Sequence, residues 1–156
     1  MKKFHFKLED RKLAANLMTK NCYMATLDLK EAYFMIPIAY EHRKYLRFYF
    51  ETNLWEFNCM PFGLSVAPWV FTKLLKPILA HLRSEGFLSV NYLDDFLLFG
   101  NNFDKCKENV EVTCKTLESL GFVINYEKSN LTSSTVCKFL GFNFDSERLG
   151  LGLPTK

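Results

Sequence analysis

The sequence has no C-x-x-C pair and no histidine cluster near its cysteines, so the usual spacings of a zinc site are missing. Its five cysteines (Cys22, Cys59, Cys106, Cys114 and Cys137) form an odd set and read as reduced core residues. A membrane-spanning run is missing too. The opening MKKFHFK is basic but no apolar stretch follows it, and every later apolar run is broken by charge. An intracellular, soluble protein of the cytoplasm or nucleus, with no membrane partner, is expected. Repeats, low-complexity tracts and interior linkers are absent, so residues 1–156 are expected to form one domain. Nor is there a strong excess of charge: a formal net charge of +3 permits a polyanionic partner without demanding one.

What is present is apolar and aromatic. The 49% apolar content suffices for a real core. Sixteen Phe, seven Tyr and two Trp suit either a packed sheet with helices against it or a surface that stacks on bases. Composition leaves both open.

Periodicity orders the chain. Leu8, Leu13, Ala14, Leu17 and Met18 predict a short amphipathic helix within 8–20. Residues 22–29 (CYMATLDL) read as a buried central strand that ends in an acid. Pro37 stops any helix begun at Lys30, and after a charged turn at 41–44 a hairpin is expected from 45–51 and 54–59 around Thr52-Asn53. Residues 60–65 are a loop. Val66, Val70, Leu74, Leu75, Ile78, Leu79 and Leu82 then define one helical face over 66–83, with Pro68 tolerated in the first turn and Pro77 predicting a kink or break. Two apolar runs, 87–93 and 96–99, flank Asp94-Asp95 as a second hairpin that presents its acids at the tip. A helix from Phe103 to Leu120 is capped by Gly121, and short strands are expected at 122–124, 137–144 and 149–153. The order predicts an α+β fold, an antiparallel sheet with helices packed on one face.

The chemistry lies in the acids. An Asp-Asp dipeptide alone is usually a hydrophilic turn. Here strongly apolar strands surround it, and Asp28 ends another such strand, so carboxylates from distant parts of the chain can converge without being buried unpaired. Such a set suits two divalent cations, one activating an attacking hydroxyl and one holding a triphosphate.

Five motifs in order resemble those of reverse transcriptases. LDLKEAYFMIPI (27–38) is similar to their first catalytic motif, YLDD (92–95) to their Y-x-D-D, and MPFGLSVAP (60–68) to the loop and helix of retrotransposon enzymes. LGF (120–122) through Glu127-Lys128, and FLGF (139–142), resemble two later palm motifs, so about 22–144 carries the likeness. INYEKS (124–129), CKFLGF (137–142) and the ending from DSE (145–147) to LP (153–154) resemble DIRS-type, tyrosine-recombinase retroelements.

The resemblance implies a polymerase palm that transfers dNTPs to a primer 3′-hydroxyl on an RNA or DNA template. Asp28, Asp94 and Asp95 would be catalytic, holding two Mg²⁺ (or Mn²⁺) ions with the Leu29 carbonyl. Glu31 and Ala32 would meet the triphosphate through backbone amides, and Tyr33 would be the steric gate against a 2′-hydroxyl. Phe62 and Gly63 would flank the incoming nucleotide. Lys128 would serve the leaving pyrophosphate, although a solvated surface lysine explains it equally well. Tyr92, Phe139, Leu140 and Gly141 would hold the primer end, Phe139 being equally suited to the core. Lys73, Lys76 and Arg83 could face template phosphate or simply form a solvated helix face. Complete enzymes also have fingers and a helical thumb. These would come from further sequence or a partner chain, the alternatives being a nucleic-acid-binding or a protein-interaction module without catalysis.

Overall fold

The structure, a computed structural model, describes residues 6–153; the MKKFH start and the final Pro154-Thr155-Lys156 lie outside the described residues. Its frame is a four-stranded antiparallel sheet ordered β4-β5-β1-β6, formed by β1 (Tyr23–Asp28), β4 (Ser89–Tyr92), β5 (Asp95–Gly100) and β6 (Asn130–Ser134). Alternation along β1 decides which layer each side chain joins. Ala25, Leu27 and Leu29 meet Phe71, Leu75 and Leu79 of α3 (Ala67–Ser84) and Cys106, Val110, Cys114 and Leu117 of α4 (Phe103–Ser119). Both long helices therefore lie on one face, as the pattern predicts.

Met24 points the other way. With Val90, Leu97 and Phe99 it packs against Ala14 and Met18 from the region of α1 (Arg11–Leu17), and against Cys137, Phe139 and Phe144. The last three belong to a second sheet ordered β7-β8-β9 (Val136–Phe139, Phe142–Asp145, Gly150–Gly152). The opposite face is thus covered as well. Four of the five cysteines are buried and all are reduced; burial pushes the Cys114 and Cys137 thiols up to about 11, in keeping with inert core residues.

Several expectations shift. Asp10 caps α1 by accepting from the Lys12 and Leu13 amides, and Met18 is already extended, so the helix is shorter than 8–20. The charged turn at 41–44 is a short helix, α2 (Tyr40–Arg43), running into a 3₁₀ turn. The hairpin of β2 (Arg47–Phe50) and β3 (Asn53–Glu56) turns at Glu51-Thr52, because Phe50 pairs with Asn53. In α3 the helix continues through Pro77, whose exposed position leaves the freed carbonyl of the preceding turn to solvent. Its buried face runs through Ala67, Phe71, Leu75, Leu79 and Leu82, so Phe71 replaces the exposed Leu74. Residues 122–124 form only a single bridge, Leu29 to Ile124, while β6 is an added strand and 137–144 is a hairpin rather than one run.

Two polar devices fix the β4 side. Buried Asn109 of α4 donates to the carbonyls of Leu88 (2.8 Å) and Phe99 (2.9 Å), and its oxygen accepts from Thr113. On the outer edge of β4, Glu9 accepts from the Asn91 amide (2.8 Å) and from Arg83 (2.7 Å), and Arg83 also donates to the Ser89 carbonyl (2.9 Å).

At the junction of β5 with α4 the backbones approach closely: a Cβ on Gly100 would overlap the Cys106 nitrogen and Cα. Gly100→Ala should therefore lower stability by about 3 kcal/mol. Gly152→Ala, where open space surrounds the position, should change little. Urea unfolding of the two variants checks the contrast.

Candidate active site

The β1–β5 ladder pairs six residues in unbroken register, from Tyr23 with Gly100 to Asp28 with Asp95. Directly opposed residues share a face, so both carboxylates lie on the side of the β7–β8 sheet, with Leu97 and Phe99 inward of them. The Asp95 carboxyl is hydrogen-bonded to Asp28. Desolvation first, then the charges of Asp94 and Asp28 and that hydrogen bond, push Asp95 up to about 6; Lys128 offsets part of this. Asp94 is raised by the same burial and by Asp28, again moderated by Lys128.

Asp94 belongs to the two-residue turn Leu93-Asp94 between Tyr92 and Asp95, where Leu93 holds φ +55°. Asn91 clamps that turn by donating to the carbonyls of Leu93 (2.6 Å) and Asp95 (3.3 Å). The end of β1 is clamped in its turn. The Leu29 amide donates to the Asp94 carbonyl (2.9 Å), the Asp28 amide to the Ser129 hydroxyl (2.9 Å), and the Asn125 amide to the Asp28 carbonyl (2.8 Å). In extended backbone the carbonyl and amide of one residue point the same way, so the Leu29 carbonyl also faces the tip. Asn125, Ser129 and Asn91 escape sequence reasoning because each acts through backbone pairing that no pattern signals.

The acids are half-buried rather than fully presented at a tip. Among the described residues no three His, Cys, Asp or Glu side chains stand together as a ready metal cage. Asp94 stands in the turn, while Asp95, on the strand, is hydrogen-bonded to Asp28. The donors nonetheless fit a hard cation: three carboxylates crowd their charges, two of them are raised by burial first and by their acidic neighbours after it, and a divalent ion would relieve the crowding.

Around the acids, Tyr33 stands in a 3₁₀ turn (Ala32–Met35), its ring 5.2 Å from Phe62 and 5.5 Å from Phe71. Burial, then Asp94 and Tyr92, raise the Tyr33 hydroxyl, which places that ring beside the acidic tip. Phe62 is largely exposed, and Gly63 (φ +91°) has open space where a side chain would stand. Glu31 is exposed at φ +50° and Ala32 is buried, so what they offer is backbone; their amides begin the turn and are not consumed by it. Lys128 is exposed but close enough to lower both raised carboxyls. Tyr92 and Leu140 are half-buried and Gly141 is exposed, whereas the Phe139 ring sits in the core against Phe144. Leu140 (φ +47°) and Gly141 (φ +76°) make the β7–β8 turn, a left-handed position that costs a leucine about 1 kcal/mol. Arg83 is engaged by Glu9 and Ser89, which removes it from any phosphate-facing set; Lys73 lies near the Trp69 ring (5.9 Å).

The family described as reverse transcriptase (RNA-dependent DNA polymerase) matches residues 1–144. The retrovirus-related Pol polyprotein from transposon opus of Drosophila melanogaster is 29% identical over 121 residues, covering 77% of this chain and 12% of the relative. The transposon Tf2-3 polyprotein of Schizosaccharomyces pombe is 28% identical, covering 78% and 9%. The chain thus spans about a tenth of the curated relatives it matches. Among solved structures, the foamy viral protease-reverse transcriptase in complex with RNA/DNA hybrid superposes with TM-score 0.78 at 21% identity, over 96% of this chain and 19% of that one. Its complex with dsDNA gives 0.79 at 21% identity, over 98% and 31%. These likenesses establish an α+β, reverse transcriptase-like fold.

Because the folded Asp95 value lies above its ordinary 3.8, its contribution to stability is fully present below about 3.8 and is lost as pH rises through about 6. Without divalent cation, the chain should lose on the order of 3 kcal/mol from this residue between pH 4 and 7. Asp95→Asn should flatten that slope, and added Mg²⁺ should lower the Asp95 midpoint followed by carboxyl ¹³C shifts. A midpoint near 4 in the cation-free chain would contradict the site electrostatics.

Proposed function

This chain belongs to the reverse transcriptase (RNA-dependent DNA polymerase) family, and on that premise we propose that it is the palm that adds dNTPs to a primer 3′-hydroxyl on an RNA template. The observation that supports this most is the register that sets Asp28 opposite Asp95, with Asp94 at the adjoining turn and Tyr33 and Phe62 beside it. Asp28, Asp94, Asp95 and the Leu29 carbonyl would hold two Mg²⁺ or Mn²⁺ ions. Such ions, when bound, activate the hydroxyl and neutralise the triphosphate and leaving group.

The chain's own groups supply the rest. The Glu31 and Ala32 amides donate to the triphosphate. Tyr33, braced on Phe71 and Phe62, lies under the sugar and excludes a 2′-hydroxyl, while Phe62 packs on the nucleotide and Gly63 lets backbone approach it. Lys128 places its ammonium where the leaving pyrophosphate gains charge, and can give it a proton. Tyr92 and the Leu140-Gly141 turn hold the primer's 3′ end; Phe139 holds that turn to the core.

Nucleic acid is the partner in the foamy viral structures, and a template-primer is the partner proposed here. Residues 1–156 form one palm domain in this reading, with fingers and thumb contributed by further sequence or a partner chain. The span of about a tenth of the relatives supports that, as do the exposed aromatics Phe48, Tyr49, Phe50 and Trp55 on the β2–β3 hairpin. INYEKS and CKFLGF support a DIRS-type origin; Pro154 of the ending lies outside the described residues. No helix among the described residues is long and apolar enough to cross a membrane, and the reduced thiols support an intracellular setting in cytoplasm or nucleus.

With fingers and thumb segments supplied, Asp94→Asn should reduce primer extension on RNA by on the order of 10³-fold while the circular dichroism melt is kept. Extension at the unaltered rate would remove Asp94 from the chemistry. Tyr33→Ala should raise the ratio of ribonucleotide to deoxynucleotide incorporation; an unchanged ratio would end its assignment as the gate.

A further inference from the structure

Asn91 is buried and polar, and it lies on the opposite side of the sheet from the acids. It pairs with Phe96 in the β4–β5 ladder, and directly opposed residues share a face, so its side chain is on the α3 side. Asp28 and Asp95 are on the other. From behind the turn, the Asn91 side-chain nitrogen donates to the carbonyls of Leu93 (2.6 Å) and Asp95 (3.3 Å), the two neighbours of Asp94 in the chain. Backbone held on both sides of Asp94 limits how far its carboxylate can swing. Leu93, at φ +55°, needs such a restraint, because a leucine leaves the left-handed region unless its surroundings keep it there.

Packing alone does not supply that restraint. On the α3 side Asn91 borders an open depression of about 310 Å³, shared with Leu8, Glu9, Thr72, Leu79 and Arg83. Space lies behind the residue, so hydrogen bonds hold the turn. The backbone of Asn91 is itself fixed: its amide donates to Glu9 (2.8 Å), and Glu9 also accepts from Arg83 (2.7 Å), which donates in turn to the Ser89 carbonyl (2.9 Å). Contacts therefore run from α3 through Glu9 and Asn91 to the acidic turn. The same helix braces the Tyr33 ring through Phe71 (5.5 Å), so α3 stands behind both the acids and the aromatic beside them.

We propose that Asn91 is the positioning residue for the Asp94 carboxylate, held in place by Glu9 and Arg83, and that it thereby sets the affinity of the acidic tip for divalent cation. This rests on the reading that Asp28, Asp94 and Asp95 bind the metals. Asn91 touches neither metal nor substrate and acts only through the two carbonyls. Groups that orient a metal ligand in this way are typically worth about 10–100-fold in affinity.

Mn²⁺ binding to the 156-residue chain, followed by water-proton relaxation, tests the assignment without turnover. Asn91→Leu keeps the size and loses both donors, and should raise the Mn²⁺ midpoint by about tenfold or more. Asp94→Asn, which removes a ligand, identifies the binding that belongs to the site. Gly100→Ala is the comparison: at the far end of the β1–β5 ladder it should destabilise the chain and leave the midpoint of the folded protein unchanged. With fingers and thumb segments supplied, raising Mg²⁺ should restore primer extension by Asn91→Leu but not by Asp94→Asn. Circular dichroism melts identify a variant that fails to fold. Glu9→Ala, at a partly exposed position, then takes the place of Asn91→Leu, with a smaller rise in the same direction expected. An unchanged midpoint in the folded variant would overturn the assignment, as would an equal rise in Gly100→Ala or no recovery with Mg²⁺. Absence of any Asp94-dependent Mn²⁺ binding by the original chain would instead overturn the metal reading on which the assignment depends.

Discussion

The pairing register between β1 and β5 is the constraint on which the rest of the structure depends. Six consecutive pairs set Asp28 across from Asp95, and the same pairs set Ala25, Leu27, Phe96 and Leu98 toward α3 and α4. The two results cannot be separated. A slip of one residue would turn every β1 side chain to the other face, burying Asp28 against the helices and exposing the aliphatic row. The hydrophobic core therefore enforces the placement of the acids at the end of the sheet.

Backbone clamps are dense around the acids. Asn91 holds the Leu93-Asp94 turn, Ser129 and Asn125 hold the end of β1, and the Leu29 amide ties it to Asp94. Three non-glycine residues with left-handed backbone, Glu31, Leu93 and Leu140, lie at the turns that border the site. Strain at such turns persists only where surrounding structure over-determines it, and here two packed faces do so.

Much of this was legible in the sequence. Strand 22–29 and the hairpin around Asp94-Asp95 were plain because apolar runs bounded by turn residues have few other solutions, and α4 because Gly121 closes its periodicity; its N-cap, Asn102, emerges from the structure. The α3 face was misjudged by a small rotation. Leu74 and Phe71 fit the helical period about equally, and only tertiary packing with β1 and Phe122 selects Phe71. Strand β6 was hidden because NLTSS has one apolar residue and gains its order from pairing with β1. Carboxylate positions could be read, but their mutual hydrogen bond could not, since it depends on a register of strands nearly seventy residues apart. Arg83 looked like a free surface cation; its partner Glu9 lies seventy-four residues away.

The Glu9–Arg83 pair has a bearing on how copies of this chain behave together. Strand β4 is the end of its sheet, and on its outer side the Asn91 amide and Ser89 carbonyl point away from β5. Left bare, those groups would template a strand from a neighbouring molecule. Glu9 takes the amide and Arg83 takes the carbonyl. An ion pair of modest energetic worth at a partly exposed position thus caps the open edge of the sheet, which then has no bare amide or carbonyl at Asn91 and Ser89 to offer another strand.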